Sequence, residues 1–358
     1  LSHQLSDNKE VQTMVLAVEW REAGTPCLRL IDQRRLPAEE TYLDIRTVSA
    51  LVEAIQTLAV RGAPALGATG ALGVVVAMRQ GHDEGWDEAR LRAEIARIRD
   101  ARPTAVNLAW GVDQVTPAIP AGVAEVLRLA TQLVADDEAA NRQLSRHGAD
   151  WILARIGKEK VRVVTHCNTG ALATTAWGTA YGVIHELHDR GALEIVYADE
   201  TRPLLQGARL TSWELTQDGI PHVVESDGAA ASTILRGLVD VAIIGADRIT
   251  ANGDTANKVG SVALALACHR AGIPFVVAAP SSTVDLDTAT GEEIVIEERS
   301  GDEVLVVAGH RTAPESARGF NPAFDVTPHD IVDAIVTERG VVEPSANPSP
   351  RLLEAIAG

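Results

Sequence analysis

Residues 161–170 read VRVVTHCNTG: five strand-forming residues, then a polar, glycine-containing break around a cysteine. The same grammar returns downstream. The run Leu193–Ala198 leads into Asp199-Glu200-Thr201-Arg202, His222–Ser226 into Asp227, and Val241–Gly245 into Ala246-Asp247-Arg248; Phe275–Ala279 is a fifth run. Short apolar runs rich in β-branched residues and bounded by turn formers predict buried strands. Between most of them the spacing predicts helices, over 171–190, 203–218 and 255–271. Strand alternating with helix predicts a parallel, doubly wound, Rossmann-like sheet with helices on both faces. Parallel strands all end on one side of their sheet, so four polar clusters at four strand ends predict a single convergent site.

Upstream the grammar changes. Short strands are expected over 13–20, 26–31 and 39–44. Arg46–Val60 reads as a helix, with Val48, Leu51, Val52, Ile55 and Leu58 at 3.6-residue spacing. Pro64 suits the first turn of a second helix, and charged, Ala/Leu-rich helical stretches follow near 86–101 and 121–155. The expected organisation is a smaller N-terminal α+β domain, 1–155, and a Rossmann-like domain, 156–358.

Composition narrows the function. The 358 residues carry a formal net charge of −17, with 46% hydrophobic and 3% aromatic residues. Nucleic acid demands a basic stripe, and an anionic membrane surface demands basic residues; neither partner fits. An anionic ligand would need a local positive pocket. Cys27, Cys167 and Cys268 are odd in number, widely spaced and form no CxxC, against a disulfide framework or zinc site and in favour of a reducing cytoplasm. No apolar run approaches the ~20 residues of a membrane span, and no signal-peptide pattern opens the sequence. The first ten residues, LSHQLSDNKE, are polar and expected to fray.

Several residues can carry chemistry. Cys167 lies where a strand gives way to a glycine-containing loop and an expected helix, whose N-terminus would favour thiolate; the alternative is a small buried hydrophobe. Cys27 and Cys268, with no polar cluster around them, read as core. Asp247 follows an apolar run, and a carboxyl in such a setting is raised and can act as a general acid; a salt bridge to Arg248 or a helix cap explains it equally well. Arg61-Gly62-Ala63-Pro64, at the start of a helix, has the makings of a phosphate cradle. Arg102 and Lys258 add candidate cations. No GxGxxG follows a strand, no GxxxxGK[ST] occurs, and neither HExxH nor a His/Cys cluster suggests a metal. No metal or nucleotide cofactor is expected.

Seven ordered stretches together resemble the methylthioribose-1-phosphate isomerase family, which is related to the alpha, beta and delta subunits of the translation-initiation guanine-nucleotide-exchange factor. They are RGAPALGATGALGVV (61–75), ARPTAVNLAWGVDQV (101–115), THCNTGALATTAWGTAYGVI (165–184), YADETRPLLQGARLTSWEL (197–215), IIGADRITANGDTANKVG (243–260), IPFVVAAPSSTVD (273–285) and GFNPAFDVTPHDIVDAIVTERG (319–340). The resemblance implies catalytic roles for Cys167 and Asp247. It implies substrate contacts at Arg61, Gly62, Ala63, Arg102, Gln206, Asn257 and Lys258, and a homodimer. It also implies aldose–ketose isomerisation of 5-methylthioribose 1-phosphate in methionine salvage, with Asp247 protonating the ring oxygen and Cys167 serving hydrogen transfer from C2 to C1. The alternatives are another ribose 1-phosphate derivative as substrate (5-deoxyribose 1-phosphate or ribose 1,5-bisphosphate), or a non-catalytic subunit binding sugar phosphates or nucleotides. One stretch departs from the family: where Asp, then Asn or Ser, then Met-Ala is usual, this chain has Ser226-Asp227-Gly228-Ala229-Ala230. That is either a change near the substrate's 5-position or a variant helix entry.

Overall fold

Strands β1 (Val18–Arg21), β2 (Cys27–Ile31) and β3 (Tyr42–Ile45) pair antiparallel in that order. Five helices follow: α1 (Val48–Gln56), α2 (Ala63–Glu84), α3 (Glu88–Arg99), α4 (Val106–Val115) and α5 (Val123–Ile156). The computed structural model describes residues 15–102, 106–346 and 352–357, so the polar first ten residues and the beginning of the 13–20 strand lie outside the described residues. The first helix is shorter than its periodicity predicts. Thr47 caps it, its hydroxyl accepting the Ala50 N–H at 3.3 Å, and Leu58 turns left-handed at φ 60°. The first core, around α2, draws almost wholly on residues 17–130, with Leu172 and Leu210 added from downstream.

The second half contains β4 (Val161–Thr165), α6 (Ala180–Asp189), β5 (Leu193–Asp199), α7 (Ser212–Gln217), β6 (His222–Glu225), α8 (Ala230–Leu235) and β7 (Val241–Ile244). Then come β8 (Arg248–Thr250), β9 (Thr255–Lys258), α9 (Ser261–Ala271), β10 (Phe275–Ala278), β11 (Val284–Asp285) and α10 (Asp302–Leu305). The chain continues through β12 (Val306–Val307), β13 (His310–Arg311), β14 (Phe324–Thr327), β15 (Ala334–Thr337) and β16 (Gly340–Val342). Seven strands form one sheet in the order β16-β15-β10-β7-β4-β5-β6, parallel except for β16. The five strand-like runs are its five central and flanking members, and the sheet is doubly wound. Side chains alternate across it: Val163, Ile243 and Val276 meet α5 and α6 on one face, while Val164, Ile244 and Val277 meet α8 and α9 on the other. Truncating Ile243 or Ile244 to Ala should cost about 2–5 kcal/mol.

The expected helices need correction at their starts. Only Ala180–Asp189 of 171–190 is helical. Ahead of it, Thr174 Oγ1 donates to the Gly170 carbonyl, and Thr175 Oγ1 donates to Asp137 on α5, so local side-chain bonds compete with the helix ladder. The 203–218 stretch is a π-helical turn, Gly207–Thr211, running into α7. The 255–271 stretch opens as strand β9, which pairs antiparallel with β8 and β14, and becomes helical only at Ser261. β9 thereby carries Asn257 and Lys258 on a small sheet, β11-β8-β9-β14, standing beside the main one.

Candidate active site

The chain leaves β4 outward through β5 and β6, returns to β7 on the other side of β4, and proceeds outward again through β10 and β15. The strand order therefore reverses between β4 and β7, and such a reversal opens a crevice at the strands' carboxyl ends. Cys167 follows β4 and Asp247 follows β7. A cavity of about 410 Å³ opens there, and all nine sequence-predicted residues line it: Arg61, Gly62, Ala63, Arg102, Cys167, Gln206, Asp247, Asn257 and Lys258.

Cys167 is buried and sits in the left-handed region at φ 66°, a conformation a non-glycine residue holds only where neighbours over-determine it. Thr201 Oγ1 accepts its N–H at 2.8 Å, and Thr211 Oγ1 donates to its carbonyl at 2.6 Å. The helix N-terminus expected beside the thiol is absent, because α6 starts only at Ala180. Cys27 and Cys268 are buried in β2 and α9, as their surroundings suggested.

His166 lies beneath this loop. Its Nδ1 meets Asp199 Oδ2 and its Nε2 meets the Val259 carbonyl, each at 2.8 Å. Nε2 donates to the carbonyl, and His166 shares a proton with Asp199 through Nδ1. Burial opposes a charge on the ring, but the hydrogen bond and charge of Asp199 outweigh it and hold His166 above its ordinary range. His166 thus ties the loop after β4 to the chain just beyond Lys258. No metal-ligand cluster was visible in the sequence, whereas the fold gathers His166, Asp199 and Asp227 within 4.8 Å. Their atoms are largely committed, since Asp227 accepts the Thr201 and Arg202 N–H groups at 2.7 and 2.6 Å. Asp227 belongs to the stretch that departs from the family pattern. It braces the turn after β5, and neither it nor Gly228 lines the cavity, which favours the helix-entry account.

Asp247 is exposed on the cavity wall, with the protein of the crevice crowded around it. Desolvation by that protein raises its carboxyl above the ordinary range, against the pull of Lys258, Arg61 and Arg102. It makes no ion pair with Arg248, which reaches Asp285 instead at 3.5 Å. Lys258 donates to the Ala323 carbonyl at 2.8 Å and stands 4.7 Å from the centre of the Phe324 ring. Arg102 is lowered by burial, with Glu297 acting in the opposite sense. Gln206 is buried with Oε1 unpartnered, and Asn257 Nδ2 donates to Ser261 Oγ at 2.9 Å.

The Arg61–Pro64 segment enters α2, and Gly62 is its N-cap at φ 99°. A Cβ there would lie 2.2 Å from the Ala173 carbonyl oxygen, so only glycine fits. The N-terminus of this 22-residue helix therefore lies against the cavity beside Arg61, a favourable setting for an anion. Among the wall residues that sequence reading missed are Asn168, Glu293–Glu297 and Arg299. The run GEEIVIEERS at 291–300 has no motif, and it forms a largely irregular strap with Val295 93% exposed.

The Initiation factor 2 subunit family matches residues 59–344. A probable bifunctional methylthioribose-1-phosphate isomerase/methylthioribulose-1-phosphate dehydratase of Nocardia farcinica is 55% identical over 87% of this chain, which spans 57% of that relative's length. A methylthioribose-1-phosphate isomerase of Alkalilimnicola ehrlichii is 49% identical over 92% of this chain and 94% of its own. Among solved structures, 5-methylthioribose 1-phosphate isomerase from Pyrococcus horikoshii superposes with a TM-score of 0.84 at 36% identity, covering 96% of this chain and 95% of that one. The translation initiation factor eIF-2B subunit delta from A. fulgidus does so with 0.82 at 37% identity, covering 95% and 99%. With this cavity at its strand-order reversal and relatives near half identity along most of its length, the chain belongs to the Initiation factor 2 subunit family and, within it, to the methylthioribose-1-phosphate isomerases.

Proposed function

We propose that this chain converts 5-methylthioribose 1-phosphate to 5-methylthioribulose 1-phosphate, with Cys167 and Asp247 as its catalytic residues. The observation that carries the reading is the placement of the buried Cys167 thiol and the Asp247 carboxyl across the β4–β7 crevice, on one cavity lined also by Arg61, Arg102 and Lys258. The substrate's phosphate occupies the anomeric oxygen, so the sugar cannot open to a free aldehyde. Protonated Asp247 gives its proton to the ring oxygen as the C1–O4 bond breaks. Hydrogen then passes from C2 to C1, either as a proton carried by Cys167 or as a hydride beside it, and the C2 hydroxyl gives up its proton to leave the ketone. One proton enters and one leaves, so the reaction is redox-neutral. Arg61, Arg102, Lys258 and the Gly62–Ala63 end of α2 hold the phosphate, while Gln206 and Asn257 supply polar contacts to the sugar.

The division into domains 1–155 and 156–358 belongs to this reading; two main cores support two domains, with α5 giving Val126 and Ala130 to the first and Leu144, Ala149 and Ile152 to the second. So do a homodimer and a cytoplasmic location. Edge strand β6, whose Val223 and Val224 are exposed, offers an unpaired rim to a second copy. Among the described residues no helix is long and apolar enough to cross a membrane. Turnover of a panel of 5-substituted ribose 1-phosphates by the purified protein tests the proposal. Preference for the methylthio compound is expected. Turnover of ribose 1,5-bisphosphate or 5-deoxyribose 1-phosphate alone would reassign the substrate, and binding without turnover would point to a non-catalytic subunit.

A further inference from the structure

Glu214 lies on α7 and lines no part of the cavity, yet it is buried at 5% exposure beneath the loop that carries Cys167. Gly170 gives it room: a Cβ on that residue would fall 2.4 Å from the Glu214 carboxylate. One carboxylate oxygen accepts the Leu172 N–H at 3.0 Å, and the other accepts Asn168 Nδ2. With its amide nitrogen so engaged, Asn168 turns its oxygen toward Arg61, whose Nη2 donates to it. Arg61 Nε is buried without a partner, so among the described residues the Asn168 contact is the tether of the guanidinium.

We propose that Glu214 is a positioning residue that, acting through Asn168, aims the Arg61 guanidinium at the substrate phosphate. The inference rests on the reading of Arg61 as a phosphate contact. Both neighbours of the Glu214 carboxylate are donors, so only the ionised form satisfies them. A proton on either oxygen faces a donor and breaks one bond of the chain. Burial raises Glu214 to about 7, opposed by the Leu172 and Asn168 bonds and by Arg61, and reinforced by Asp218. Tyr181, which donates to Asp218, is the other titratable group beside it. The tether therefore slackens as pH falls through neutrality.

Replacing Glu214 with Gln keeps the shape but places an amide where both neighbours need an acceptor. With one acceptor for two donors, the Gln oxygen that serves the Leu172 N–H leaves its NH₂ facing Asn168, which turns over and presents its own NH₂ to Arg61. Glu214→Gln should raise KM by about ten- to a hundredfold above neutrality, the worth of a charge-assisted bond, while changing kcat little. Wild-type KM should climb on the acid side, and the variant should lack that rise. Asn168→Ser cuts the link at its other end and should match the Glu214→Gln effect. The double variant should be no worse than either single one. Calorimetry with sulfate, which keeps its charge across the titration range, supplies a readout free of turnover: affinity should fall with acid in wild type and stay uniformly low in the variants. Additive losses, or Asn168→Ser with unchanged sulfate affinity and KM, would overturn the inference even if Glu214→Gln fails to fold. If the wild type turns over no methylthioribose 1-phosphate, the functional reading fails, and the sulfate titration still decides whether Glu214 and Asn168 govern Arg61.

Discussion

Asp240 and Asp247 bracket the same strand, β7, and the two ends of that strand treat a carboxylate in opposite ways. At the entry end, Asp240 receives Lys158 Nζ at 2.6 Å, Arg162 Nη2 at 2.8 Å and the Arg162 N–H at 2.9 Å. Burial would raise it, but these bonds prevail and bring it down to about 2. At the exit end, Asp247 has cations nearby, yet the protein crowded around its carboxyl outweighs them by desolvation, so it is raised. The β4 partner differs likewise: Arg162 closes an ion pair at one end, and Cys167 opens on a cavity at the other. The contrast separates a carboxylate held charged by its partners from one whose charge its surroundings disfavour. The first serves stability, and the second leaves a group poised for chemistry.

That contrast can be broken most forcefully at the exit end. Cys167→Ser should lower kcat by about 10²–10⁴-fold, the usual worth of a positioned proton-transfer group, while leaving the melting temperature nearly unchanged. Near-normal turnover by the folded variant would make Cys167 a core residue and the two ends alike. Arg102→Ala should weaken substrate binding by about 1.5–3 kcal/mol in calorimetry, the range for a charge-assisted hydrogen bond. Unchanged affinity would remove Arg102 from the phosphate site.

The entry end should respond in stability alone. Asp240→Asn should cost about 1–3 kcal/mol in denaturant titration at neutral pH with kcat unaltered; the figure allows for the exposure of Lys158. Because the folded-state value of Asp240 is depressed, its contribution is present above the ordinary carboxylate range and drains away as pH falls toward about 2. Wild type and variant should therefore converge in acid. A stability gap persisting at low pH would mean that packing, not charge, holds that end. Asp247 has the opposite sign. As an acid with a raised value, it should lose activity as pH rises through its folded pKa, and Asp247→Asn should abolish that alkaline limb. The smallest expected effect is none: dialysis against a strong chelator should leave turnover intact without added cofactors. Activity lost and then restored by a divalent metal would point to a metal-stabilised enediolate at the exit end.

Much of this was legible beforehand. The five strand runs and the polar clusters at their ends are local patterns, and parallelism converts their order into proximity. Cys167, Asp247 and the Arg61–Pro64 turn could be nominated because each breaks an apolar pattern where a strand or helix ends. The helix starts were less legible. Ala171–Thr179 has helical composition, but its threonines bond to Gly170 and to Asp137, a residue distant in sequence. Thr255–Lys258 became a strand because β8 and β14 flank it. Glu214 resembled any polar residue on a short helix, since its meaning lies in Asn168 and Gly170.

The sequence by itself determined five of the seven main-sheet strands, their common direction and the residues at their exits, because side-chain periodicity and turn chemistry act within a few positions. Tertiary structure decided that β4 lies beside β7, although β5 and β6 intervene in the chain. It also decided that Cys167 is held left-handed by Thr201 and Thr211, and that the unremarkable 293–299 strap lines the cavity. Those features depend on contacts between residues far apart in the chain, whose free energy exists only once the chain has closed the loops between them.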